Sequence, residues 1–380
     1  MAEIRVIHTS DMHIGAPFLF LGKKGNEQRL AIREALARIT RIAREGKYHA
    51  LLIAGDLFDS AFGASEADVS GAVRCCAEAG PACQVVILPG SHDFYAAGSL
   101  FERERARFEA SGNVHVLTPE RRVIEFPELS LAVHGKALTS TSAPENAFLG
   151  LKPIQEYRWN ICMAHGSVEG YSAALEPREN TFRMNDLASG FDYVALGHWH
   201  SYLVVKERSP AAVYSGSPEI IARDQRGAGS VVSLACSDGG VTFERLPVGS
   251  RRVADVAVDC TGLANGEEFV KKVLGAVAPD KDLILDLSLT GLLGIDASFD
   301  PVQAVAELEQ SYFSVRLAGK GLGREISKEE LLAIPGDTVA GTFVRILLRK
   351  IEHAEGERRE LLEEALQLGY QLFKGRDLIG

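Results

Sequence analysis

The first 200 residues repeat one pattern five times: a short apolar run followed directly by an acidic or imidazole side chain. Runs of about four to eight apolar residues, bounded by Gly, Pro, Ser or Asp, are typical of strands covered on both faces. The runs are IRVIHTS, HALLIAG, CQVVILPGS, WNICMA and FDYVALG, and the residues that follow them are Asp11 and His13; Asp56; His92 and Asp93; His165; and His198 and His200. We therefore predict five buried strands with polar carboxyl ends.

Two amphipathic segments separate the first three runs. Residues 26–46 place Ile32, Leu36, Ile39 and Ala43 on one stripe with charged residues opposite, and residues 65–79 carry a second apolar stripe. Strands alternating with helices predict an α/β layered domain. Because ligands of open sheets gather beyond the carboxyl ends of the strands, we expect all five polar endings to converge at one edge.

The sequence patterns divide the whole chain into three predicted zones. The first domain, residues 1–250, ends in a hairpin region at 213–246. Residues 251–325 read strand, helix, strand, helix, strand, which predicts a small α+β domain. Residues 326–380 carry apolar positions at helical spacing, as in FVRILLRKIEHAEGERRELLEEALQLGYQLF.

Composition limits the function classes. The net charge of −10 argues against tight unaided binding to nucleic acid, because such binding depends on neutralising phosphates with Lys and Arg. No stretch approaches a membrane span, and MAEIRVIHTS lacks the basic-then-apolar layout of a signal peptide, so we expect a cytoplasmic protein without membrane contact. The six cysteines form no CxxC pair and lie mostly in apolar runs, which predicts reduced, buried thiols.

The polar endings have the composition of a metal site. Carboxylates and imidazoles without thiolates suit Mn²⁺ first, then Fe²⁺ or Zn²⁺. In an extended segment, side chains two residues apart point to the same face. The pair Asp11 and His13 can therefore bind one ion together, and so can the pair His198 and His200. Asp56 has two carboxylate oxygens and can bridge two ions at the spacing of about 3.5 to 4 Å that is typical of two-metal phosphoester hydrolases. A hydroxide activated by both metals would then be the nucleophile.

A structural explanation exists for each residue taken alone. An Asp at a strand exit is usually a turn former or helix cap, and a single His is usually a satisfied core or surface residue. We assign His8, His49, His115, His134 and His353 in that way. Five polar endings on five successive apolar runs favour the metal site instead.

The motifs resemble those of a known family. HTSDMHIG, GDLFDS, PGSHD, MAHG and LGHWH are similar to the five ordered motifs of the calcineurin-like metallophosphoesterases. HTSDMHIGAPF, FDYVALGHWH and YSGSPE narrow the resemblance to the DNA-repair exonuclease branch, the SbcD- and YhaO-like nucleases. The resemblance implies a layered sandwich of β-sheets flanked by helices, with residues 251–325 as a capping domain and a helical C-terminal tail.

The resemblance also implies residue roles. One ion would be held by Asp11, His13, Asp56 and His200, and the other by Asp56, Ser91, His165 and His198. His92 would lie over the phosphate, and Asp93 would orient His92. The implied reaction is metal-dependent hydrolysis of a DNA phosphodiester in DNA repair, with exonuclease and endonuclease action both left open.

One motif departs from the family. Ser91 stands where the family has the Asn of GNHD. A Ser hydroxyl reaches less far than an Asn carbonyl oxygen, so we expect the second ion to be held more weakly, by on the order of 10 to 100-fold. The alternative is that Ser91 only shapes the turn.

Two rival functions remain. The first is a small-molecule phosphoesterase on the same metal core, although GDLFDSA lacks the Arg of the phosphatase motif GDxVDRG. The second is a weakly active scaffold subunit of a repair complex, which only Ser91 supports.

Partner surfaces are less specific. Arg103, Arg105 and Arg107, which alternate with glutamates, favour a solvated helix face over a DNA path. The C-terminal stripes can pack on the body of the chain. By the resemblance they can instead bind an SMC-like coiled-coil ATPase, and a second copy of the chain is a further candidate.

Overall fold

The computed structural model describes residues 3–142, 146–169, 180–188, 190–208 and 210–375. The chain forms two compact units, Met1–Arg252 and Val253–Gly380. The expected boundary near residue 325, inside the second unit, stays a prediction. No helix in the described ranges combines the length and apolarity that a membrane crossing requires. All six cysteines are unpaired and buried, as predicted.

The described residues of the first unit form fourteen strands. They are β1 (Ile4–Thr9), β2 (Ala50–Ala54), β3 (Gln84–Leu88), β4 (Val114–Val116), β5 (Val123–Phe126), β6 (Leu131–Gly135), β7 (Trp159–His165), β8 (Ser167–Val168), β9 (Thr181–Phe182), β10 (Tyr193–Gly197), β11 (Leu203–Lys206), β12 (Ala211–Tyr214), β13 (Ser230–Ser237) and β14 (Gly240–Pro247). Its α-helices are α1 (Gly25–Glu45), α2 (Glu66–Ala77) and α3 (Leu100–Glu109), and its short 3₁₀ segments are Leu19–Lys24, Pro127–Leu129 and Met184–Ala188.

Two six-stranded sheets pack face to face in the first unit. Their strand orders are β14-β13-β1-β2-β3-β4 and β11-β12-β10-β7-β6-β5. Apolar residues from both sheets form the core between them. Helix α1 lies against α2 and β2, with the predicted stripe of Ile32, Leu36, Ile39 and Ala43 buried. The predicted layered α/β arrangement is confirmed.

The five predicted strands are confirmed, but they belong to two sheets. Strands β1, β2 and β3 run parallel in one sheet, and β7 and β10 run parallel in the other. The expectation that the five polar endings lie at one edge of a single sheet is therefore wrong. They lie at the carboxyl ends of strands from two sheets, and these ends meet. Antiparallel β13 and β14 form the hairpin expected in the region 213–246.

The second unit begins with a small α+β layer. Its elements are β15 (Arg252–Asp259), α4 (Gly266–Ala276), β16 (Asp280–Leu293), α5 (Pro301–Leu308) and β17 (Tyr312–Arg324), followed by α6 (Lys328–Leu332), α7 (Val339–Glu352) and α8 (Glu357–Phe373). The sheet order is β15-β16-β17, and α4 and α5 contribute to its core. The helices α6, α7 and α8 bury a separate cluster that includes Val344, Ile351 and Leu366. The predicted element order is confirmed.

Candidate metal centre

The loops after β1 and β2 carry the first acidic residues of the centre. They are joined by backbone hydrogen bonds from Asp11 N to the Gly55 carbonyl and from His13 N to the Asp56 carbonyl, both 3.0 Å. The second sheet reaches the same point, because His165 Nδ1 lies 3.0 Å from the carbonyl oxygen of Ala54 at the end of β2. The carboxyl ends of the two sheets are thus in direct contact here.

Four residues of the centre have left-handed backbone conformations. Asp11, His13, Asp56 and His198 have φ values of 54°, 49°, 53° and 100°. A non-glycine residue in this region is uncommon and costs on the order of 1 to 3 kcal/mol, which the surrounding fold must offset. Only three other described non-glycine residues share this feature, so the strain is concentrated at the centre.

Two glycines make room for His165. A Cβ on Gly55, whose φ is +96°, would lie 2.0 Å from His165 Nδ1. A Cβ on Gly197 would lie 1.9 Å from the Ala54 carbonyl oxygen and 2.9 Å from the same ring nitrogen. Any larger residue would displace the imidazole or the end of β2.

A first group of donors comprises Asp11, His13 and His200, each with one donor atom within 4.8 Å of the others. The two Nε2 atoms of His13 and His200 face each other at 3.3 Å, and His200 Nε2 is 3.8 Å from Asp11 Oδ1. Two ring nitrogens that face each other beside a buried carboxylate are placed to coordinate one cation.

A second group comprises Asp11, Asp56 and His165. His165 Nε2 lies 3.1 Å from Asp56 Oδ2. The hydroxyl of Ser91, which is buried, lies 3.2 Å from both of these atoms. Ser91 therefore stands inside the donor cluster, where the sequence comparison with GNHD placed it.

A third group comprises His13, Asp56 and His92, so Asp56 is common to the second and third groups. Asp56 Oδ1 also accepts a hydrogen bond of 2.8 Å from the backbone N–H of His92. The His92 ring lies edge-on to that of His13, with centroids 4.6 Å apart, and its side chain is 48% exposed. His92 is therefore the histidine of this cluster that faces solvent at the rim.

His198 lies at the side of the cluster. Its ring is edge-on to that of His165, with centroids 5.3 Å apart. Its backbone N–H donates to both carboxylate oxygens of Asp11, at 2.9 and 3.0 Å. None of the donor groups formed by the described residues includes the His198 ring, so its direct role as a ligand stays a prediction.

Burial and mutual charge set the protonation of the cluster. Burial by itself would raise the pKa of Asp56, but the charge and hydrogen bond of His165 hold that pKa well below its usual value. Burial opposes protonation of His165, yet the Asp56 carboxylate raises the pKa of His165 to about 9. In the absence of an ion, the two residues form a buried charge pair.

The other members respond mainly to burial. Burial raises the pKa of Asp11, and the nearby Asp56 charge adds to this rise. Burial lowers the pKa of His198 to about 4 and that of His200 to about 3, with the charges of His165 and His13 as the next causes. These two imidazoles are therefore neutral at neutral pH, which is the form that binds a metal.

Asp93 does not contact the His92 ring. Its carboxylate accepts hydrogen bonds from Gly90 N at 2.7 Å and Phe58 N at 3.0 Å, and burial raises the pKa of Asp93 to about 7. The expectation that Asp93 orients the imidazole of His92 is wrong for this geometry. Asp93 instead fixes the turn after β3 against the loop after β2, because both of its oxygens are used by backbone donors.

Asp59 holds the position that sequence reasoning had given to Asp93. His13 Nδ1 lies 3.0 Å from Asp59 Oδ1, and His92 Nδ1 lies 3.1 Å from the Asp59 carbonyl oxygen. A carboxylate on Nδ1 keeps the other ring nitrogen available to an ion. Asp59 is the last acidic residue of GDLFDS, so the motif contained the signal.

Gln225 is a second residue that the sequence did not reveal. Its Oε1 accepts hydrogen bonds from Ile221 N and Ala222 N, both 3.1 Å, and its amide nitrogen contacts His200 Nδ1. The amide thus holds the His200 ring in place. No motif marks a glutamine on a loop so far from the HWH sequence.

Arg107, one of the three arginines weighed for a DNA path, and Arg121 are engaged in surface ion pairs. Arg107 contacts Glu66 at 2.8 Å and Glu104 at 3.5 Å, and Arg121 contacts Glu109 at 2.7 Å. Such contacts fit the solvated helix face that the alternation with glutamates favoured.

Comparisons with known proteins identify the family of this chain. The profile of the family described as "Calcineurin-like phosphoesterase" matches residues 4–202. The "Uncharacterized metallophosphoesterase YhaO" of Bacillus subtilis is 24% identical over 276 residues, which cover 70% of this chain and 65% of that protein.

Two further relatives carry nuclease or repair names. The "DNA double-strand break repair protein Mre11" of Methanopyrus kandleri is 25% identical over 248 residues, covering 59% of this chain and 52% of that protein. The SbcD component of the nuclease SbcCD from Rhodobacter capsulatus is 24% identical over 391 residues, covering 89% of this chain and 92% of that protein. The chain thus spans 65% and 52% of the lengths of the first two relatives.

Proposed function

Because the chain belongs to the calcineurin-like phosphoesterase family, we propose that it is a metal-dependent phosphodiesterase that cleaves DNA during repair. The observation that carries the proposal is the set of donor groups linked through Asp11, His13 and Asp56 where the two sheets meet. The family implies phosphoester hydrolysis. The choice of DNA rests on the names of the relatives, two of which specify nuclease or DNA repair.

The donor set fits divalent metal ions. Buried carboxylate oxygens and imidazole nitrogens converge without a thiolate, which favours Mn²⁺, with Fe²⁺ or Zn²⁺ as alternatives. We assign two sites, one with Asp11, His13, Asp56 and His200, and the other with Asp56, Ser91, His165 and His198. Two such ions, when bound, would stabilise charge on the phosphoryl oxygens and lower the pKa of a water.

We propose that His92 contacts the phosphate of the substrate. Its Nδ1 faces the Asp59 carbonyl oxygen, which favours a proton on Nδ1 and leaves Nε2 for the phosphate. When the ring is protonated, His92 would donate from Nε2 to the leaving oxygen of the ester. Asp93 holds the turn that carries His92, and Asp59 holds the ring, so both act through positioning.

The C-terminal helices are the proposed docking site for an SMC-like coiled-coil ATPase. Helices α7 and α8 pack on each other through part of their apolar stripes, but Ile346, Leu361, Leu372 and Phe373 remain exposed. A relative whose match covers 89% of this chain is named as a subunit of a nuclease. The net charge of −10, from which we expect weak DNA binding by the chain alone, also fits dependence on a partner.

Substitution of exposed residues tests this docking without shortening the chain. Leu361→Asp with Leu372→Asp should abolish recovery of the ATPase in a pull-down, whereas Val302→Asp, on the exposed face of α5, should not. Equal recovery with all variants would refute the docking site.

We place the protein in the cytoplasm, since six unpaired, buried thiols suit a reducing compartment.

One assay separates the proposed function from its rivals. The protein with Mn²⁺ is incubated with linear single-stranded DNA, linear double-stranded DNA and bis-p-nitrophenyl phosphate, with His92→Ala as the control. Cleavage of DNA that is lost in His92→Ala is the expected result. Cleavage of the ester alone would favour a small-molecule phosphoesterase, and turnover of none would favour a scaffold subunit.

A further inference from the structure

A pair of aromatic rings, one exposed and one half-buried, lies on the two turns that carry the rim of the metal centre. The rings of Phe62 and Phe94 meet edge to face with centroids 5.7 Å apart. Phe62 is 58% exposed and Phe94 is half-buried. Single exposed apolar residues are common on proteins and need no explanation, so the position of this pair decides whether it matters.

Phe94 follows His92 by two residues in the turn after β3. Along residues 92–95, His92 is exposed, Asp93 is buried, and Phe94 and Tyr95 are both half-buried, with Tyr95 packed against the core between the sheets. Phe94 packs instead against the ring of the exposed Phe62. The turn that presents His92 to the phosphate therefore presents Phe94 beside it.

Phe62 approaches from the loop after β2. Asp59, three residues earlier, contacts His92 Nδ1 through its carbonyl oxygen at 3.1 Å. Phe62 N donates to Ser60 Oγ at 3.2 Å, and the carbonyl of the preceding Ala61 accepts from Leu100 N at 2.6 Å. The backbone beside the ring is therefore held to the start of α3.

The second turn is held as well, because Tyr95 N donates to the Leu138 carbonyl oxygen at 2.7 Å. Two aromatic rings on anchored turns form a rigid surface, which reduces the entropy lost when a flat ligand binds. The pair offers an apolar, uncharged face that suits a planar ring and not a phosphate.

We propose that Phe62 and Phe94 form a stacking site for a nucleobase next to the phosphodiester that is cut. The inference rests on the proposed function and specifies its substrate as a base-bearing strand. Stacking of a base on an aromatic side chain is tolerant of sequence and contributes on the order of tenfold or more in affinity. An acidic protein gains little from phosphate attraction, so stacking would supply the strand affinity that charge does not.

The test compares two single-stranded oligomers of equal length, one of ordinary deoxynucleotides and one of abasic phosphodiesters, with the Mn²⁺-loaded full chain. The measured quantity is kcat/KM for the ordinary oligomer divided by kcat/KM for the abasic oligomer. Phe62→Ala should lower this ratio by about tenfold, mainly through KM, and Phe62→Tyr, which keeps the ring, should preserve it. A ratio that is unchanged in Phe62→Ala would overturn the proposal.

A binding measurement gives an independent readout. A 2-aminopurine oligonucleotide with phosphorothioate linkages, which slow hydrolysis, should lose fluorescence on binding when its base stacks. The loss should disappear in Phe62→Ala and persist in Phe62→Tyr. If the unaltered protein cleaves neither oligomer, the proposed function fails, and the fluorescence titration still decides the stacking site: equal quenching by both variants, or none by the unaltered protein, would reject it.

Discussion

Two buried aspartates, one in each unit, occupy opposite kinds of environment. Asp286 lies in the middle of β16 opposite Arg316 of β17, and the guanidinium contacts its two oxygens at 2.6 and 3.2 Å. Asp56 lies in a left-handed turn after β2, among the rings of His13, His92 and His165. Both carboxylates are almost fully buried.

The difference shows how to separate a structural acid from a functional one. A forked guanidinium matches a carboxylate geometrically and is always charged, so Asp286 is satisfied within a regular sheet. Asp56 accepts hydrogen bonds from the His92 backbone and the Ser91 hydroxyl, but its charge is balanced by histidines that must carry a proton to do so, and its backbone is strained. Buried charge that the protein neutralises only with protonated histidines, on strained turns, points to a cation as the normal partner.

The largest expected effect comes from Asp56→Asn. The amide keeps the size of the side chain but loses the charge shared between donor groups, so hydrolysis should fall by on the order of 10³-fold or more. Bound metal, measured by elemental analysis after gel filtration, should fall with it. Asp286→Asn is the matched control and should keep its metal; retention of full metal content by Asp56→Asn would contradict the assignment.

Ser91→Asn should strengthen the weaker site. An amide oxygen reaches further than the Ser91 hydroxyl, so the Mn²⁺ concentration giving half-maximal activity should fall by about 10 to 100-fold. Ser91→Ala, which removes the hydroxyl, should shift it the other way or leave it unchanged. An unchanged titration for Ser91→Asn would show that position 91 only shapes the turn.

Proton release should accompany metal binding. In the ion-free protein the pKa of His165 is raised to about 9, so the ring is protonated at pH 7 and must lose its proton to bind a metal. Affinity should therefore rise about tenfold per pH unit from pH 7 towards 9 and level off above it. Calorimetry in buffers of different ionisation enthalpy would count the protons, and a count of zero at pH 7 would contradict the charge pair.

The smallest effect belongs to Asp286→Asn. It removes the partner of Arg316, but that side chain is 56% exposed and water can solvate it. We expect the free energy of unfolding of the protein to fall by about 1 to 2 kcal/mol in urea denaturation. A loss of about 3 to 5 kcal/mol is expected when a fully buried charge is left unpaired. A loss of that size would contradict the contrast drawn here between the environments of the two aspartates.

Local sequence patterns were sufficient for the strands and for the family. The apolar runs that end before Asp11, Asp56 and His165 are strands, and the resemblance carried by the five motifs and its layered fold are confirmed. These features depend on near neighbours in the chain, where burial and turn chemistry act within a few residues.

Features that depend on distant contacts could not be predicted in the same way. The division of the five strands between two sheets is set by the packing of whole faces, which no single run encodes. Asp93 was misassigned because a carboxylate beside a histidine in sequence can point into the turn, as it does here towards Gly90 and Phe58. Gln225 reaches His200 only through the folded loop.

The donors come from loops of both sheets, so the centre exists only while the sheets remain packed. Asp11, His13 and Asp56 follow strands of one sheet, whereas His165 ends β7 and His200 follows β10 in the other. An ion that binds only this arrangement adds its binding energy to the fold, about 2.7 kcal/mol at a free concentration of 100 times its Kd. Metal starvation would then lower the amount of folded protein as well as its turnover.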